Sequence, residues 1–352
     1  MPERRVALPS FFRKQTTYRA FRARVTRLLR AVSVLLAAGS CAMVYPHPAG
    51  AAPARLPLSR KYHRGDKMHY HTRVSTAAVI RSNPLSLMQY LPPSPLDVTL
   101  EIDHELSVQS VDSDGSADLE DRIDSFHFRP ASDAPGDKTQ LEAVREFESE
   151  YSRRIVGLVL KLHRGPKGKL LSRAEAVSLS QSSSAPNGLV ESLHALLGIL
   201  VGAGLYPAHP VKQGDSWATD FSVESGPILP LAVQGKNILR FEGTTHRHGV
   251  KAAVIDFHFT SALQKPPEHA PPVGLFALFE GKGMALDMRI QGEGEGRALI
   301  ALKDGRVLEN KSTLHETVRA TLKGLPGVPL PPPGPGLIEI DARDAVEAAE
   351  AE

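Results

Sequence analysis

The stretch "LDVTLEIDHELSVQ", residues 96–109, decides the fold class of this chain. Apolar and polar residues alternate along it, and His104 is the one polar residue on the apolar side. A period of two is typical of a β-strand with one face in the core and one in water. Such strands belong to antiparallel sheets, and most are only five or six residues long. This long strand therefore predicts one large curved antiparallel sheet rather than a compact sandwich.

Other segments have the same character. Residues 67–74 and 284–290 alternate in the same way. Three turn signals then predict hairpins: residues 165–168 with two glycines, His248-Gly249, and Asp304-Gly305. The sequence therefore predicts a sheet built mostly from consecutive strands.

One segment has helical periodicity instead. In "NGLVESLHALLGILVGAG", residues 187–204, leucines recur at the spacing of one helix face, at Leu189, Leu193, Leu196, Leu197 and Leu200. We predict a helix over about 188–202. Because it is so apolar, we expect it to pack on the concave, apolar face of the sheet. The predicted class is mainly β (α+β).

The two halves of the chain resemble each other. A first Gly-Asp turn (Gly65-Asp66) and a second (Gly214-Asp215) each precede a strand, and each is followed by a glycine turn and a closing hairpin. We predict a single β-rich domain over 52–324 with two similar halves, about 60–175 and 205–322. Chance similarity between common hairpins is the alternative.

The C-terminal segment, residues 325–352, begins "LPGVPLPPPGPG" and ends in an acidic run. Proline-rich segments favour extended spacers without a packed core. We predict a flexible Pro-rich, acidic tail, with at most a short docking strand at 337–340.

Residues 1–51 have the parts of a secretory signal. Five arginines between 19 and 30 precede an apolar run at 31–44, which is shorter than the ~20 residues of a spanning helix. Cleavage after Ala51 removes the segment. As an alternative, "AGSC", residues 38–41, resembles a lipobox, in which Cys41 is lipidated and begins the mature chain; an uncut anchor is a third reading. We predict an extracytoplasmic protein of the periplasm or cell envelope, touching membrane only through its signal or lipid anchor.

The charge balance argues against a nucleic-acid partner. The leader holds nine of the 42 basic residues and one of the 39 acidic residues, which leaves 33 basic against 38 acidic and a net charge of −5. A nucleic-acid-binding domain is expected to present a basic patch. We also predict no cofactor, and cleavage after Ala51 removes the single cysteine.

The segment "PVKQGDSW", residues 210–217, and the hairpin "DGRV", residues 304–307, carry a resemblance. Together with the preceding apolar helix, they resemble a family of exported bacterial proteins of unknown function. That family is similar in architecture to the lipoprotein-carrier half-barrel, a curved antiparallel sheet with a helix in its concave face. The resemblance covers most of residues 60–322. It implies a cavity for a hydrophobic ligand, and it brings no catalytic residues.

Few residues point to chemistry. A lone histidine on an apolar face is usually a hydrogen-bonded core residue, but in a ligand cavity His104 would be a polar contact. We predict that His104, Leu193, Leu197 and Trp217 line this ligand cavity. Two His-x-His pairs, at 69/71 and 246/248, could hold a metal only if they met, because zinc needs three or four converging ligands. No known catalytic motif occurs, and we predict no metal site.

Three functions stay open. The first is a non-enzymatic envelope protein that binds a lipid or other hydrophobic small molecule between sheet and helix. The second is a structural or protein-interaction module with an envelope protein partner, acting through the tail. The third is a metal-dependent hydrolase that uses the His-x-His pairs.

Overall fold

A computed structural model describes residues 55–83, 94–130, 155–168, 204–224, 232–264, 284–324 and 336–351, with a few further residues between 145 and 178. Apart from short helical conformation between 145 and 155, these residues form strands, turns and connecting segments. The strands are β1 (Lys67–Asn83), β2 (Leu96–Val111), β3 (Ala117–Pro130), β4 (Leu158–Arg164), β5 (Glu175–Ser178), β6 (Ser216–Glu224), β7 (Ala232–Arg247), β8 (Val250–Gln264), β9 (Met284–Ala301), β10 (Val307–Gly324) and β11 (Gly336–Glu350).

All described strands belong to one antiparallel, unclosed sheet of eleven strands, in the order β5-β4-β3-β2-β1-β11-β10-β9-β8-β7-β6. The chain therefore forms two meanders, β1 to β5 and β6 to β11, which meet where β1 pairs with β11. The mainly β class and the large antiparallel sheet predicted from sequence are confirmed. The helix predicted over 188–202 lies outside the described residues.

The two faces of the sheet differ throughout. We call the face that carries Val74, Leu100, Ile290 and Val346 the inner face; these side chains are all buried. The opposite, outer face carries charged residues, and the burial pattern of β1 alternates almost strictly between the two. Alternation of this kind is what the period of two in the sequence predicts.

Strand β11 corrects the predicted tail. Residues 336–350 are not a flexible extension: they pair with β1 on one side and β10 on the other. Ile338, Ile340, Val346 and Ala348 lie buried on the inner face. The tail prediction and the domain boundary at 324 are wrong because alanines and acids hide the alternation of this strand.

One end of the sheet is closed by two segments, residues 55–66 and 204–211, which we call the plug. They join each other through a β-bridge between Leu56 and Val211. Leu58, Leu205 and Tyr206 pack with the ends of β7 to β10 in one buried cluster. The predicted turns at His248-Gly249 and Asp304-Gly305 are present as the β7–β8 and β9–β10 turns.

Hydrogen bonds of the plug bring distant strands together. The Arg60 N–H donates to the carbonyl of Pro166 in the β4–β5 turn, and the Lys61 N–H donates to that of Asp304 in the β9–β10 turn, each at 2.7 Å. Adjacent amides place these two acceptors within about 10 Å. Strands β4 and β10 are five positions apart, which is about 24 Å along a flat sheet. The sheet therefore curves around the plug at this end.

The similarity of the halves extends to their hydrogen bonds. Each Gly-Asp turn precedes one strand and forms two hydrogen bonds with a single residue of the strand after it. The glycine N–H donates to the carbonyl of that residue, and the N–H of that residue donates to the aspartate carbonyl. That residue is Val108 in the first half and Phe241 in the second. A register shift follows at the same place in both, between Val108 and Ser110 and between Phe241 and Gly243.

Candidate functional site

The inner face is the candidate functional surface, because its buried side chains form a largely apolar area across neighbouring strands. Its burial is very complete near the middle strands, where Ile102, Ile290 and Ile300 are at most 1% exposed. The four predicted cavity positions can bind a ligand together only if they line this surface. The structure places two of the four, and Leu193 and Leu197 lie outside the described residues, as does Cys41.

His104 lies on the inner face of β2 and is fully buried. Its Nδ1 is 2.6 Å from Oδ1 of Asp121 on β3, and its ring stacks on Tyr70 with a centroid distance of 5.5 Å. Its Nε2 has no hydrogen-bond partner. His104 is thus held in a buried pair with Asp121, and the second ring nitrogen is left for a further polar contact.

Trp217 lies on β6, directly opposite Leu239 on β7. It is partly buried against the cluster at the plug, and its indole Nε1 is buried without a partner. Strand β6 is seven positions from β2 in the sheet. Sheet order therefore does not bring Trp217 and His104 together, and their shared role in one cavity stays a prediction.

Buried polar residues surround the plug. The Tyr206 hydroxyl donates to the carbonyl of Gly305 at 2.6 Å, and Arg60 lies 5.0 Å from the ring centroid of Tyr62. Burial raises the pKa of Tyr70 and Tyr206 well above the ordinary value of 10.0. Both tyrosines are therefore neutral, and the hydrogen bond of Tyr206 ties the plug to the β9–β10 turn.

Two acidic residues on the inner face were missed by the sequence analysis. Asp344 on β11 and Glu316 on β10 are 3% and 2% exposed. Burial raises the pKa of Asp344 to about 7, and burial together with the Asp344 charge raises the pKa of Glu316. The sequence alternation of β10 could have indicated the burial of Glu316, because Glu316 lies on the same face of the strand as Leu314 and Val318.

Asp344 lacks the partners that a buried carboxylate normally has. Neither of its oxygens forms a hydrogen bond. Thr76 lies directly opposite on β1 and its hydroxyl lowers the carboxyl pKa somewhat, but it is too poorly placed to count as a hydrogen bond. Buried carboxylates are usually paired or hydrogen-bonded.

The outer face pairs its charges across strands. His71 lies 2.7 Å from Asp103 and His69 lies 3.3 Å from Glu105, both carboxylates being on β2. His315 and Asp341 form a similar pair at 2.9 Å. The first His-x-His pair therefore occupies a water-exposed face and is engaged by separate carboxylates.

The second His-x-His pair lies where β7 ends: His246 is an exposed residue of the strand, and His248 lies in the β7–β8 turn with a positive φ of 47°. Strand β7 is five positions from β1, about 24 Å along the sheet. The two pairs are therefore not neighbours in the sheet. Among the described residues, no group of three or more His, Cys, Asp or Glu side chains could hold a metal ion.

A shallow depression of about 610 Å³ crosses six strands, from β2 to β8. Most of its lining residues belong to the outer face, including His258, Glu293, Arg343 and Ala345, and Asp344 also contributes to the lining. The outer face therefore also offers a surface for a partner.

Comparison of the chain with protein families matches no family model, and comparison with curated proteins finds no significant relative. The resemblance to the exported family therefore stays a prediction. In the part of the chain that the structure describes, no helix has the length and apolar character needed to cross a bilayer.

Proposed function

We propose that this protein is an exported, non-enzymatic protein of the bacterial cell envelope that binds a lipid or other hydrophobic ligand against the inner face of its sheet. The observation that carries the proposal is the contrast between the two faces: one carries mostly buried apolar side chains on successive strands, and the other carries many cross-strand ion pairs. The leader at 1–51 supports export, and lipidation at Cys41 is the alternative form of the mature protein.

The plug supports a concave, ligand-binding shape for the sheet. Because the sheet curves around residues 55–66, its inner face becomes concave at one end, as in the half-barrel of lipoprotein carriers. An apolar concave surface with a few polar groups is the usual form of a small-molecule site. The predicted helix over 188–202 would lie against this surface, with Leu193 and Leu197 available to the ligand.

A matched pair of variants on β11 tests this proposal. Ala342 is buried on the inner face and Ala345 is exposed on the outer face. Ala342→Leu adds volume where the ligand would lie, and we expect it to weaken binding of a fluorescent fatty-acid probe by about tenfold, which is ~1.4 kcal/mol. Ala345→Leu should leave binding unchanged. Equal probe affinities in the wild type and both variants would contradict binding at the inner face.

An envelope interaction module is the second candidate, favoured by the depression on the outer face. Its earlier form, acting through a free tail, is no longer proposed because residues 336–350 form β11. The ionic walls of the depression are partly engaged already, as in the pair between His315 and Asp341. The inner face therefore remains the better-supported surface.

A further inference from the structure

A row of polar positions crosses the middle of the otherwise apolar inner face. Thr76 on β1 lies opposite Asp344 on β11, and Glu316 on β10 lies opposite Gly292 on β9, which in turn lies opposite Ser261 on β8. Asp344 and Glu316 are diagonal neighbours, because Asp344 lies opposite the residue two before Glu316. Diagonal neighbours in a sheet are about 7–8 Å apart, within reach of long side chains.

Glycine at 292 helps to form this row. A Cβ atom at that position would lie 2.6 Å from Oγ of Ser261 and 3.1 Å from Leu314. Any side chain would therefore displace the serine hydroxyl. Because Gly292 has no side chain, Ser261 on β8 can lie close to β9, which separates it from Glu316 on β10. The polar row therefore continues across five strands.

The row carries negative charge and no opposite charge. On β1, β8, β9, β10 and β11, the described inner-face positions hold no Lys, Arg or His apart from Lys251, which is exposed at the start of β8. The inner-face residues that flank Asp344 on its own and neighbouring strands are Val74, Ala78, Ser312, Leu314, Ala342 and Val346. Both Asp344 oxygens are buried and without hydrogen bonds. A buried carboxylate in such surroundings either binds a proton or needs a cationic partner.

We propose that Asp344 and Glu316 bind the positively charged amino group of an amphiphilic ligand, whose alkyl part lies along the apolar inner face. This inference rests on the proposed function and adds the ligand class to it. An ammonium group supplies up to three donors for the unpartnered oxygens, and its charge offsets theirs. A carboxylate or phosphate head group would instead be repelled by the two acids. The raised pKa of both carboxyls agrees with this arrangement, because it shows how little their charged forms are compensated in the free protein.

The test compares three probes of equal chain length at pH 8, each below its micelle concentration: dodecylamine, dodecanol and dodecanoate. Isothermal titration calorimetry measures their binding to wild type, Asp344→Asn, Glu316→Gln and Asp341→Asn. The last variant removes a carboxylate from the outer face of the same strand, so it controls for general attraction of amines to an acidic protein. Circular dichroism checks that each variant is folded.

We expect dodecylamine to bind wild type about tenfold or more tightly than dodecanol, since one charged hydrogen-bonded contact is worth ~1.5–3 kcal/mol. Asp344→Asn and Glu316→Gln should remove this preference and keep dodecanol binding, whereas Asp341→Asn should keep both. At pH 5 the preference should shrink, because protonated carboxyls no longer attract the amine.

Equal binding of the amine and the alcohol by wild type would overturn the inference and leave the proposed function standing. A preference that persists in both inner-face variants would also overturn it. Failure of all three probes to bind would count against the inference and the proposed function together.

Discussion

Replacing Asp344 with asparagine should stabilise this protein at pH 8 and not at pH 4. Asp344 is buried on the inner face, and the carboxyl pKa rises from 3.8 to about 7 on folding. Below pH 3.8 the group is protonated in both folded and unfolded chains, so it costs nothing. As pH rises toward 7, the unfolded chain ionises first, and the folded state loses stability until both forms are ionised.

The size of the effect follows from the pKa difference. About three units correspond to ~4 kcal/mol of lost stability above pH 7. Asparagine removes that cost but introduces a buried amide without partners, which costs ~1–2 kcal/mol. We therefore expect a net gain of ~2 kcal/mol at pH 8, or a rise in Tm of roughly 4–8 °C. At pH 4 most of that ionisation cost has disappeared, and the variant should be no more stable than wild type.

Two other features sharpen this measurement. Among the described inner-face residues beside Asp344, the only charged one is Glu316, whose pKa Asp344 also raises, so relief of that repulsion adds to the gain. Asp341→Asn on the outer face of the same strand is the control, because exposed pairs contribute only ~0–1 kcal/mol. Thermal unfolding followed by circular dichroism between pH 4 and 8 gives the comparison. A stability difference between Asp344→Asn and wild type that does not change with pH would refute the reasoning.

Three further predictions concern the fold. Deleting residues 336–350 should abolish cooperative unfolding by circular dichroism, because it removes a central strand; a truncated chain that still melts cooperatively would contradict the sheet order. Gly305→Ala should cost at least ~2 kcal/mol in urea unfolding, since its φ is +70° and its Cβ would overlap a backbone oxygen of the plug, whereas Gly249→Ala, with φ +77° and open space, should cost only ~1 kcal/mol; equal costs would show that the plug does not approach the turn. His104→Leu should cost ~3–5 kcal/mol by leaving Asp121 buried and unpaired, and adding Asp121→Leu should recover much of that loss; a double variant as unstable as the single one would argue against the buried pair.

Residues 96–109 show why part of this fold could be predicted from sequence. One face of β2 is apolar and the other charged, so local periodicity reports the environment of each side chain directly. The turn at Asp304-Gly305 was equally legible, because its glycine has the positive φ that such turns require. Local rules suffice where local sequence and long-range packing agree.

Strand β11 could not be predicted for the opposite reason. Its inner positions are partly alanine and include Asp344, so the contrast between its faces is weak. Its place in the centre of the sheet depends on pairing with β1, which lies more than 250 residues away along the chain. The preceding prolines also made a disordered tail the natural expectation.

The buried acids were missed because period-two analysis counts an acidic residue as exposed. Glu316 and Asp344 each occupy a core-facing position between apolar neighbours, and only the register of β10 and β11 shows that they lie side by side. His104 could be recognised from sequence as a polar residue on an apolar face. Its partner Asp121 could not, because the register of the β2–β3 pairing shifts beside His104. In the Asp344–Glu316 pair and in the His104–Asp121 pair, the pairing of strands determines which residues lie together, and residue type alone does not.

The most direct test of the central proposal is native mass spectrometry of the protein purified from the envelope of its own host. We expect a mature chain that begins at Ala52, or at a lipidated Cys41, with an additional non-covalent mass of lipid size. Collisional release and fragmentation of that ligand should identify an amine-bearing amphiphile. A bare polypeptide mass, from protein that also binds no lipid when lipid is added back, would contradict the ligand-binding function.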